Sequence, residues 1–65
     1  MTLEEMKIDC IRKICDSKVQ IKMKLIGIKK VVETEDKAII DRVVANIPIL
    51  EEKAAKKLLE AIFES

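Results

Sequence analysis

Apolar and polar residues alternate strictly in the segment 18–25, which reads KVQIKMKL. The odd-numbered positions are all apolar, and the even-numbered positions are lysine or glutamine. Such alternation is typical of a strand with one buried and one exposed side. On a helical wheel, the apolar residues of 18–33 would be scattered among the lysines. The pattern therefore predicts a strand or hairpin over about 18–33.

The alternation changes phase at Leu25 and Ile26, beside the single glycine of the chain, Gly27. A glycine at such a point is compatible with a bulge that redirects one long strand. It is also compatible with a turn that joins strands 18–25 and 28–33, although Ile26-Gly27 is a poor dipeptide for a tight hairpin turn. The sequence leaves both possibilities open, with an all-α chain as the alternative to any strand.

The segments on either side have helical signals. Thr2 and Glu5 form a capping-box pattern, which predicts a helix that begins near Leu3. Asp16-Ser17 is the predicted end of this helix. Thr34 is the predicted N-cap of a second helix. The second helix has apolar residues at three- and four-residue spacing, namely Ile39, Ile40, Val43, Val44 and Ile47.

Pro48 is predicted to end this helix and to occupy the first position of a further helix, where its missing N–H donor has no cost. The predicted apolar stripe of that last helix consists of Leu50, Ala54, Leu58, Ala61 and Ile62. The order helix, strand or hairpin, helix, helix predicts an α+β fold in one small domain, 1–65, without an internal repeat. A core of this size is marginal, so we expect dimerisation to complete it.

The residue inventory argues against catalysis. The chain has no histidine, and one glycine cannot form a glycine-rich phosphate loop. Cys10 and Cys15 lack the spacing of a zinc or redox motif, and their spacing on a helix would point the two sulfurs apart. We therefore expect a non-enzyme without cofactor or metal, with two buried, reduced thiols.

Reduced thiols and the lack of an apolar run of about 18 residues predict a cytoplasmic protein without membrane attachment. Thirteen basic and twelve acidic residues give a net charge of +1, so the whole chain has no strong attraction to polyanions. The charge is nevertheless segregated, because the segment 17–32 contains five lysines and no acid. We predict that the five lysines contact a partner or phosphates: Lys18, Lys22, Lys24, Lys29 and Lys30.

A strand followed by two helices resembles the ribbon-helix-helix family of dimeric DNA-binding proteins in the order of its elements. The resemblance implies a strand paired with that of a second chain, and DNA as the ligand. Two departures are the long segment 26–33 after the strand and Pro48 between the helices. The absence of an aromatic stacking platform also weakens the nucleic-acid interpretation, since Phe63 is the only aromatic residue.

The function predicted from the sequence is a non-enzymatic protein-interaction module. It would act as a small regulator or inhibitor by binding a protein partner, and it would form a homodimer. The alternative is a dimeric DNA-binding transcriptional regulator that uses the lysine-rich side of the predicted strand.

Overall fold

The structure, a computed structural model, describes residues 1–52 and 56–64. Within these residues it has four α-helices and no strand. They are α1 (Leu3–Asp16), α2 (Ile21–Glu33), α3 (Lys37–Glu52) and α4 (Lys56–Glu64). The α+β prediction is therefore wrong, and the all-α alternative fits.

The predicted strand or hairpin over 18–33 is a helix for most of its length. Val19 and Met23 are buried, whereas Ile21 and Leu25 are 74% and 63% exposed. Four apolar residues at alternate positions thus divide into two pairs, each with a four-residue spacing. Residues four apart lie on the same side of a helix, so a helix with two apolar sides can imitate the alternation of a strand.

The first helix begins as its sequence predicts. Thr2 Oγ1 accepts a hydrogen bond from the Glu5 N–H at 3.2 Å, and the Thr2 N–H donates to Glu5 Oε1 at 3.3 Å. This reciprocal pair is the capping box, and it confirms the predicted start at Leu3. The predicted end at Asp16-Ser17 is also confirmed, because Asp16 is the last helical residue and Ser17 is the C-cap.

Two boundaries of the next helix differ from the prediction. Asp36, rather than Thr34, caps α3, because its Oδ1 accepts from the Ala38 N–H at 2.9 Å. The helix also continues through Pro48 to Glu52. Leu50 is buried two turns after Val43, and its burial offsets the lost hydrogen bond at the proline.

The four helices form a closed ring in which α1 contacts α2 and α3, and α4 contacts α2 and α3. The core is aliphatic, and every member of it is less than 10% exposed: Cys10, Ile14, Val19, Met23, Val31, Ile40, Val43, Leu50, Leu59 and Ile62. Leu59 is the member that the predicted stripe of the last helix omits. Ala61 of that stripe is exposed, and Ala54 lies outside the described residues.

The α1–α2 hairpin has an approximate internal symmetry. Lys7 Nζ donates to the carbonyl oxygen of Val32 at 2.8 Å, and Lys24 Nζ donates to that of Cys15 at 2.8 Å. The donor of the second bond lies 17 positions after the donor of the first, and its acceptor lies 17 positions before the acceptor of the first. Both carbonyls lie in the last turn of a helix, where they lack an intrahelical partner.

The same 17-residue offset relates the sequences of the two helices, contrary to the expectation of no internal repeat. Segments 4–17 and 21–34 share four identical pairs at this offset, which are Met6 and Met23, Lys7 and Lys24, Ile11 and Ile28, and Lys13 and Lys30. Conservative pairs include Ile8 with Leu25, Arg12 with Lys29 and Ile14 with Val31. The two helices therefore present equivalent sides to the core and to the outside.

Candidate functional site: an uncovered apolar face on the first two helices

A second apolar stripe runs along α2, away from the core. Its residues have spacings of four, three and four, so they fall within about 60° around the helix axis. They are Ile21, Leu25, Ile28 and Val32. Ile21, Leu25 and Val32 are 74%, 63% and 55% exposed, and Ile28 is half-buried. The stripe lies roughly 130° around the axis from the buried residues Met23, Gly27 and Val31.

The first helix has the equivalent stripe. Ile8, Ile11 and Cys15 have spacings of three and four residues and also fall within about 60°. Ile8 is 59% exposed, Cys15 is exposed and Ile11 is half-buried. The hydrogen bonds of Lys7 to Val32 and of Lys24 to Cys15 show that the helices run antiparallel, with the two stripes on one side of the hairpin.

We call this surface the outer apolar face. It consists of Ile8, Ile11 and Cys15 from α1 and Ile21, Leu25, Ile28 and Val32 from α2. Ile11 and Ile28 also pack against the core, so they form the floor between two exposed rows. Four of the six large hydrophobic residues that are exposed among the described residues belong to this face. Apolar groups clustered in this way are typical of a binding surface rather than of scattered surface residues.

The lysines predicted to contact a partner or phosphates do not form a single row. Lys24 Nζ is engaged by the Cys15 carbonyl, and Lys30 Nζ lies 5.6 Å from the centroid of the Phe63 ring. Lys18 is exposed just before α2, and its backbone N–H donates to Glu51 Oε2 at 2.7 Å. Lys22 and Lys29 are exposed on one edge of the outer apolar face, about 10 Å apart along the helix.

The two thiols also differ in their surroundings. Cys10 is fully buried, as predicted, and burial together with the nearby Asp9 carboxylate raises the pKa of its thiol to about 11. Cys15 is exposed on the outer apolar face, so its predicted burial is wrong. Both are free thiols in the structure.

Sequence reasoning missed the outer apolar face because it assigned the alternating apolar residues of 18–25 to the single buried side of a predicted strand. The signal was present in the spacing of residues 21, 25, 28 and 32. It becomes visible only when the segment is read as a helix with two separate stripes.

Comparison of the chain with protein-family models, with curated proteins and with solved structures finds no match. Among the described residues, no helix combines the length and apolar character needed to cross a membrane. The same residues contain no group of His, Cys, Asp and Glu side chains arranged to hold a metal ion.

Proposed function

We propose that the protein is a non-enzymatic interaction module, a small regulator or inhibitor that binds protein through the outer apolar face. The observation that supports this proposal is the cluster of exposed Ile8, Ile21, Leu25 and Val32 on one side of the α1–α2 hairpin. Burial of such side chains is favourable by roughly 25 cal/mol per Å² of apolar surface removed from water. The partner can be a second copy of the chain or another protein. The two free thiols are consistent with a cytoplasmic location.

The DNA-binding alternative loses its geometric basis, because it required a row of lysines on one side of a strand. On α2, Lys24 and Lys30 instead contact groups of the protein itself. The resemblance to the ribbon-helix-helix family also depended on that strand. Lys22 and Lys29 remain exposed at the edge of the outer apolar face, where they can contribute to the specificity and rate of protein binding.

The proposal is tested by capture of binding proteins on the immobilised chain from lysate with and without nuclease treatment. Leu25→Asp places a charge in the exposed part of the face, and we expect it to abolish capture. Ile49→Asp is the matched control, because Ile49 is an apolar residue of α3 that is 45% exposed and lies outside the face. Circular dichroism of both variants checks that each remains helical.

Proteins captured equally by the parent and by Leu25→Asp would show that binding uses another surface. Capture that depends on intact nucleic acid would contradict the proposal and favour the DNA-binding alternative. Loss of binding in both Asp variants would point to a general effect of added charge.

A further inference from the structure

The outer apolar face has the spacing of a helix-packing surface. Residues 21, 25, 28 and 32 repeat at alternating intervals of four and three, which is the pattern of the inward positions of a coiled coil. Ile8, Ile11 and Cys15 add a second row of the same period on the antiparallel neighbour. A surface with two antiparallel rows is best matched by another pair of antiparallel helices.

The charges of the two helices are opposite in sign. Along α2, Lys22, Lys24, Lys29 and Lys30 outnumber the single acid Glu33, which gives a net charge of +3. Along α1, Glu4, Glu5, Asp9 and Asp16 outnumber Lys7, Arg12 and Lys13, which gives a net charge of −1. The chain therefore carries both the basic helix and the acidic helix that would complement each other across an interface.

We propose that the occupant of the outer apolar face is a second copy of this chain, with α1 of each copy packed against α2 of the other. This inference rests on the proposed function and specifies its partner. A two-fold axis in the interface, parallel to the helices, brings each α1 opposite the partner's α2. An axis perpendicular to the helices would instead place the basic α2 against its own copy, with like charges opposed.

The size of the surface is that of a weak rather than a permanent interface. Helices of 14 and 13 residues extend for about 20 Å and pack side by side at about 10 Å, so the face covers roughly 20 by 20 Å. Such a footprint is below the roughly 800 Å² per partner of a standard stable interface. The expected behaviour is therefore a weak, reversible monomer–dimer equilibrium rather than a permanent dimer.

Sedimentation equilibrium of the full chain from about 1 µM to about 500 µM tests the inference. The parent should pass from monomer to dimer over this range, Leu25→Asp should remain a monomer, and Ile49→Asp should dimerise like the parent. If Leu25→Asp fails to fold, Ile21→Asp replaces it, because Ile21 is 74% exposed. A dimer that Leu25→Asp leaves intact would overturn the inference, since the interface would lie elsewhere.

Salt distinguishes the two arrangements of the dimer. Opposite charges across the interface are screened by salt, so dimerisation should weaken about two- to tenfold between roughly 0.05 and 0.3 M NaCl. Dimerisation that strengthens with salt over this range would indicate α2 packed against α2, and would overturn the proposed pairing.

The failure of this inference differs from the failure of the proposed function. A parent that stays monomeric at every concentration overturns the second copy as occupant. If the parent, but not Leu25→Asp, still captures a protein from lysate, the interaction module stands with a different partner. If neither dimerisation nor capture depends on Leu25, both conclusions fail.

Discussion

The Cδ1 atom of Ile14 lies 3.7 Å from the position that a β-carbon on Gly27 would occupy. This distance is an ordinary van der Waals contact, and the next atom, Leu59 Cδ1, lies 4.0 Å away. Gly27 is in the interior of α2 and has no positive φ. The glycine is therefore required neither by a turn nor by a clash with α1.

Gly27→Ala should stabilise the protein. Alanine fits the available space and has a helix propensity that is better than that of glycine by about 1 kcal/mol, so the free energy of unfolding should rise by roughly 0.5 to 1 kcal/mol. Urea denaturation measures the change. Gly27→Leu is the contrasting variant, because its longer side chain would overlap Ile14 and should destabilise. A loss of stability in Gly27→Ala would mean that the two helices pack more closely than the 3.7 Å contact indicates.

Two single substitutions by lysine in α2, at Ile21 and at Met23, distinguish a helix from the predicted strand. Ile21→Lys should leave stability nearly unchanged, because Ile21 is 74% exposed, whereas Met23→Lys should cost several kcal/mol, because Met23 is buried. In a strand both residues would lie on the same buried side, and both variants would be destabilised. Chemical denaturation of the two variants, followed by far-UV circular dichroism, makes this comparison.

Pro48→Ala should stabilise the chain by about 1 to 3 kcal/mol. Within α3 the alanine N–H restores a helical hydrogen bond and removes the steric conflict of the proline ring with the preceding turn. If residue 48 were the first residue of a separate helix, the N–H of the new alanine would have no helical partner and the substitution would gain little. Thermal unfolding measures the difference. Ala45→Gly, at an exposed position of the same helix, is the control and should lower stability. No gain in Pro48→Ala would argue that the helix is interrupted at this residue.

Stability should fall as the pH rises from 9 to about 11, because of Cys10. Its folded pKa of about 11 is above the ordinary value of 9.0, so the unfolded chain releases the thiol proton first. This contribution is fully present below pH 9 and is lost as the pH rises through the folded pKa. We expect the difference in unfolding free energy between the parent and Cys10→Ala to decrease over this range. A difference that is constant with pH would show that the thiol titrates normally in the fold.

The sequence by itself determined the boundaries that local chemistry controls. The capping box of Thr2 and Glu5 specifies the start of α1 through hydrogen bonds between residues three apart, which needs no other part of the chain. The three- and four-residue spacing around Ile40 and Val43 likewise specified the buried side of α3, because this helix has a single apolar stripe.

Only the tertiary structure decided the secondary structure of the segment 18–33 and which of its apolar residues are buried. Its apolar residues form two stripes, and the alternation of Val19, Ile21, Met23 and Leu25 is compatible with either period. Contacts with Ile14 and Leu59 select the stripe of Met23 and Gly27 for the core, and so leave Ile21 and Leu25 outside. The helix through Pro48 also depends on tertiary contacts. The burial of Leu50 stabilises it through residues distant in sequence, and a local rule about proline does not include this contribution. The outer apolar face is a consequence of this choice, since only packing determines which of two similar stripes remains uncovered.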